Sequence, residues 1–94
     1  MVSLVVPFVM SDADKTLEKM RSGSAQIRYT ELFRVCVEFF GEPRQKGTSH
    51  AVFKMPWAGD PRVNIQNARG KAKPYQVRQV LAAIDKLLEM KEKQ

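Results

Sequence analysis

Lys46-Gly47-Thr48-Ser49-His50-Ala51-Val52-Phe53-Lys54-Met55 is the stretch on which the fold of this chain turns. A glycine-containing tight turn runs directly into residues that favour a strand. From Ser49 to Met55 the pattern alternates: Ala51, Phe53 and Met55 point one way, while His50, Val52 and Lys54 point the other. His50 is the only histidine, and Arg44, Lys46, Lys54 and Arg62 flank it within twelve positions. Imidazoles ordinarily titrate near a pKa of about 6.5 and so trade protons around neutral pH. A lone imidazole among cations marks a place where phosphate is held and a proton is moved.

Downstream, Pro56-Trp57-Ala58-Gly59-Asp60-Pro61 reads as a hairpin loop from its Pro and Gly content. The returning strand, Arg62 to Gln66, sets Val63 and Ile65 on one face and Arg62, Asn64 and Gln66 on the other. Upstream, Glu42 to Lys46 fits a short edge strand, with Pro43 tolerated at its start. The result is a three-stranded meander with an apolar face for helices and a polar, basic face that carries His50.

Helical periodicity brackets the meander. Leu32, Val35, Cys36, Phe39 and Phe40 define one face of a helix over Glu31–Phe40, with Thr30 as its N-cap and Gly41 as its stop. Asn67-Ala68-Arg69-Gly70-Lys71-Ala72-Lys73 reads as a basic loop. Pro74 suits the first turn of a closing helix that runs to about Lys91. Val77, Val80, Leu81, Ile84, Leu87 and Leu88 form its apolar stripe. The order helix, three strands, helix is an α+β sandwich of two layers.

Residues 1–29 read as an N-terminal extension and residues 30–94 as the domain proper. Within the extension, Ser11 and Asp14 have the spacing of a capping box for a short helix from Asp12 to about Arg21. That helix carries Leu17 and Met20 on one side and stops at Ser22-Gly23-Ser24. The apolar start, Val2 to Met10, is far shorter than the about 18 residues that span a bilayer, and it lacks the basic region of a signal peptide. It is open to three readings: an added edge strand, a hydrophobic flap or a disordered start. A cytoplasmic location is expected.

Ninety-four residues make one small domain, and a hydrophobic fraction of 44% supports a packed core. Sixteen Lys and Arg against ten Asp and Glu leave a net charge of +6, which directs attention to a polyanionic partner, nucleic acid first. The single cysteine, Cys36, excludes an internal disulfide and falls on an apolar helix face, where it reads as a small buried hydrophobe. With one histidine, no cysteine cluster and no close carboxylate pair, metal ligation is poorly supported, and no cofactor is expected. A serine triad is equally weak, because alternation sends Ser49 and His50 to opposite faces.

Ribonuclease chemistry does suit a lone histidine among cations. A base turns the RNA 2′-hydroxyl into a nucleophile toward its neighbouring phosphate, an acid protonates the leaving 5′-oxygen, and one imidazole serves either step. Lys and Arg stabilise the charge that grows on the phosphoryl oxygens. The candidate catalytic residue is His50, and the candidate RNA contacts are Lys46, Ser49, Lys54, Arg62, Lys71, Lys73 and Arg78, with Arg69 as a further phosphate grip. Trp57 and Tyr75 offer aromatic faces, read either as base-stacking platforms or as anchors for their own segments.

Two motifs carry a family resemblance. Gly47-Thr48-Ser49-His50 followed by the alternating strand resembles the signature of HicA toxins, the ribonuclease half of HicA–HicB toxin–antitoxin pairs. Lys73-Pro74-Tyr75-Gln76-Val77-Arg78-Gln79-Val80-Leu81 is similar to that family's closing segment. The resemblance spans about Thr30 to Leu88, and residues 1–27 exceed the family's small core. It implies a fold like the double-stranded-RNA-binding domain, cleavage of mRNA with His50 as the catalytic residue, and neutralisation by a HicB-like antitoxin. The free toxin is expected as a monomer with no membrane association. The alternative from the residues themselves is a non-catalytic RNA-binding module of the same fold.

Overall fold

The alternation around His50 becomes a strand whose inner face is the centre of the core. The computed structural model describes residues 11–23, 26–59 and 61–92. Their elements in chain order are α1 (Asp12–Ser22), α2 (Tyr29–Phe40), β1 (Gln45–Lys46), β2 (His50–Lys54), β3 (Arg62–Ala68), β4 (Lys71–Ala72) and α3 (Pro74–Glu92). The strands form one antiparallel sheet in the order β1-β2-β3-β4. The domain is α+β, three helices and four strands. The readings of residues 1–10, of Ser24 and of Asp60 fall outside the described residues.

Ala51, Phe53, Val63 and Ile65 face inward and join Leu32, Val35 and Cys36 of α2 and Val80 and Ile84 of α3 in one buried cluster. Phe53 is fully buried, with its ring edge-on to Phe33 at 5.7 Å between centroids and tilted against Phe40 at 6.3 Å. Burial of such a side chain contributes about 1.5–3 kcal/mol, a large share of a small domain's net stability.

The segment read as a basic loop after β3 contains a fourth strand, a correction to the three-stranded meander. Arg69 and Gly70 have φ of 57° and 84° and join β3 to β4 as a two-residue turn, with Asn67 paired to Ala72 and Ala68 to Lys71. Positive φ at both central positions is the geometry whose twist matches that of the flanking strands. Gly70 N–H also donates to the Asn67 side-chain oxygen. The outer edge of β4 is met in turn by the chain before α2: Arg28 bridges to Lys71, Ala72 N donates to the Ile27 carbonyl at 2.8 Å, and Tyr29 N to the Gly70 carbonyl at 3.0 Å.

Several helical expectations shift in detail. The Ser11–Asp14 capping box forms as expected, and α1 ends on Gly23 at φ 69°. This helix packs on both α2 and α3, with Ala13 and Met20 each 3% exposed in the common core, so the extension shares the core of the rest. Its buried side carries Ala13, Thr16 and Met20, while Leu17 is half-buried. Thr30 is not the cap of α2. The helix starts two residues earlier than expected, with Arg28 as its cap, and Glu31 Oε1 accepts from the Arg28 N–H at 3.1 Å. On α3, Val80, Ile84 and Leu87 are buried as the stripe requires, but Leu88 is 38% exposed and Gln76 is buried instead.

Candidate active site

His50 opens β2 and is exposed, on the sheet face opposite the helices. The turn before it is closed by Gly47 N donating to the His50 carbonyl at 2.9 Å. This folds Gly47 under the imidazole: a Cβ on residue 47 would stand 2.6 Å from Cε1 and 2.9 Å from Nδ1 of His50. Real Cβ atoms do not approach so closely, so glycine is what gives the ring its place.

Directly across β2–β3, the partner of His50 is Gln66, and Asn67 N donates to the Ser49 carbonyl at 2.7 Å to fix that register. Residues that face each other in an antiparallel pair share a side of the sheet. Gln66 therefore stands beside His50 on the outer face. Lys73 Nζ reaches back from the start of α3 and donates to Gln66 Oε1 at 2.7 Å. β4 is only two residues long, so the Gln66 N–H on that side has no strand partner; Gln76 Oε1 accepts from it at 2.8 Å. Gln76 Nε2 then donates to the Tyr75 hydroxyl at 3.3 Å. Gln76 is 3% exposed, and its role in the sheet has no signal in the sequence, where it lies outside the apolar stripe of the helix.

The remaining candidates divide by face. Lys54 and Arg62 pair with each other on the face of His50, four residues along each strand, which at about 3.3 Å per residue is about 13 Å away. Lys71 pairs with Ala68, and Arg28 bridges to Lys71, which extends the same face in the other direction. Arg69 is exposed in the β3–β4 turn. Ser49 lies just before β2, exposed, with its carbonyl engaged by Asn67.

Two candidates are not brought to His50. Lys46 pairs with Ala51, an inward position, and its ammonium lies 4.9 Å from the centroid of the Phe33 ring on α2. Arg78 borders a groove of about 260 Å³ formed with Met20, Ile27, Ala72 and Leu81, on the helical side of the sheet.

Trp57 belongs elsewhere as well. It is half-buried under the Lys86 ammonium, 4.7 Å from the ring centroid, and lines a recess of about 720 Å³ with Phe39, Phe40, Met55 and Leu87 beyond the far end of β2. Cys36 is fully buried, and burial pushes its thiol up to about 12, which makes it inert as a nucleophile. Among the described residues no three His, Cys, Asp or Glu side chains come together as a metal site, and no helix is long and apolar enough to cross a membrane.

The site thus has an exposed imidazole, its cross-strand neighbour Gln66 and the Lys73 ammonium that donates to Gln66, with the Tyr75 hydroxyl tied to the same strand through Gln76. Comparison with protein-family models, with characterised proteins and with solved structures yields no match in any of the three.

Proposed function

We propose that the protein is a HicA-like toxin, an endoribonuclease that cleaves mRNA without a metal ion and is held in check by an acidic, HicB-like antitoxin in the cytoplasm. The observation that carries this reading is the placement of the sole histidine, exposed on the sheet face with Gln66 and the Lys73 ammonium beside it. The element order α2-β1-β2-β3-α3 is compatible with a fold like the double-stranded-RNA-binding domain, with β4 and α1 as additions.

Cleavage proceeds within the substrate. The 2′-oxygen attacks the adjacent phosphorus, a P–O2′ bond forms and the P–O5′ bond breaks, which leaves a 2′,3′-cyclic phosphate and a 5′-hydroxyl. His50 takes the proton from the 2′-hydroxyl or gives one to the departing 5′-oxygen. Lys73 stabilises the charge that develops on the phosphoryl oxygens. Lys54 and Arg62 at one end of the face and Lys71 and Arg28 at the other supply sequence-independent attraction for the backbone.

The test is cleavage of a labelled single-stranded RNA in EDTA by wild type and by His50→Ala, with circular dichroism of both. Wild type is expected to cut and the folded variant to be slower by about 10²- to 10⁴-fold. Equal rates for the two proteins overturn the catalytic assignment. Binding by both with cutting by neither makes the protein a non-catalytic RNA-binding module.

A further inference from the structure

We infer that Tyr75, Lys73 and Gln66 form a nucleotide subsite beside His50 in which the Tyr75 ring stacks on an unpaired base, so that the ligand is single-stranded RNA. The inference rests on the RNA reading of the sheet face and specifies which form of RNA that face accepts.

Tyr75 is 48% exposed and stands outside the core cluster in which Tyr29, Phe33, Phe53 and Trp57 pack. Packing therefore does not account for its position. Its hydroxyl is tied by Gln76 Nε2, and the Oε1 of that same buried amide is tied to the main chain of Gln66. The ring is thereby referenced to the sheet position that faces His50. The Lys73 ammonium, two residues before Tyr75, sits on the side chain of Gln66. The imidazole and the ammonium thus flank the side chain of Gln66, and the Tyr75 ring is linked through Gln76 to the main chain of that same residue.

These groups match one nucleotide. The ammonium suits a phosphate, the ring suits the flat face of a base, and the Gln66 amide offers polar atoms to a base edge or sugar hydroxyl. Stacking on an aromatic ring is indifferent to base identity because every base has a π-face. It does require the base to be unstacked. An RNA duplex buries its base faces against one another and offers Tyr75 only backbone.

The experiment measures binding in the His50→Ala background, where RNA stays intact, by fluorescence anisotropy with a single-stranded oligoribonucleotide and with a blunt duplex of the same sequence. Tyr75→Phe keeps the stacking face but releases the hydroxyl that Gln76 holds, and is expected to bind the single strand more weakly than the parent and more tightly than Tyr75→Ala. Tyr75→Ala is expected to bind it about tenfold or more weakly, with duplex binding and the salt dependence unchanged, since no charge is lost. Photocrosslinking of a 4-thiouridine-substituted strand is expected to place the adduct on Tyr75.

Full-strength single-strand binding by Tyr75→Ala overturns the subsite, as does an equal loss on both ligands. The nuclease reading stands or falls separately. Discrimination by Tyr75 without cleavage by wild type keeps the subsite and removes the enzyme; cleavage by wild type without discrimination removes the subsite alone.

Discussion

The imidazole of His50 rests against the main chain of Gly47, with Cε1 2.6 Å from where a Cβ on residue 47 would lie. Gly47 is not among the residues with positive φ, so backbone strain is not the reason for glycine here. The reason is room. The atoms in conflict belong to the end of a side chain, and an exposed ring can swing aside at little cost to the fold.

Gly47→Ala is therefore expected to leave thermal stability nearly unchanged and to displace the imidazole. Displacement of a catalytic group by about 1 Å costs on the order of 100-fold in rate. Cleavage rates compared with melting curves for the same preparation check this. A variant that melts normally and cuts normally would show that the ring position does not matter.

Gln76 closes the open side of β3 at Gln66, and its partner there is a main-chain N–H. Gln76→Leu keeps a side chain of similar size at this buried position but leaves that donor unpaired, at a cost of about 1–3 kcal/mol. Urea denaturation is the measurement, with an unchanged slope and a lower midpoint as the expected outcome. Equal midpoints would mean that water takes over the N–H without loss.

The Lys19 ammonium, 2.9 Å away, and then the Arg28 N–H hold the Glu31 carboxyl below its ordinary value of 4.5. The folded protein thus binds this proton more weakly than the unfolded chain does. Stability from Glu31 is complete above pH 4.5 and declines as the pH falls through the lowered value. Urea midpoints between about pH 6 and about pH 3 are expected to fall for wild type and to fall less for Glu31→Gln. Parallel profiles would assign the acid sensitivity to other carboxylates.

Much of this was legible in the sequence because it depends on local rules. Alternation over Ala51–Phe53 and Val63–Ile65 reveals the two central strands and their inner faces, and with them the outer position of His50. The Ser11–Asp14 spacing yields the start of α1. What stayed hidden depends on distant partners. β4 is too short for a pattern, and the Arg69 of its turn is not a residue that announces φ above zero, although Gly70 after it is a usable signal.

Gln76 looks polar and outward until the bare edge of β3 is seen. Lys46 was grouped with His50 by nearness along the chain, whereas the register with Ala51 turns it to the helical side. Met20 belongs to the common core because α1 folds back over α2 and α3, a matter of tertiary packing that its own weak periodicity does not encode.

The bridge between Arg28 and Lys71 has a consequence for how this sheet meets other chains. Exposed strand edges are templates on which a foreign strand can pair. Here the β4 edge is already occupied by the protein's own Ile27–Tyr29 segment. Among the described residues, the edge left for strand addition is β1, a two-residue strip that contains Lys46 and follows Arg44. Self-association through the sheet is thus discouraged at one margin by the chain itself and at the other by shortness and like charge.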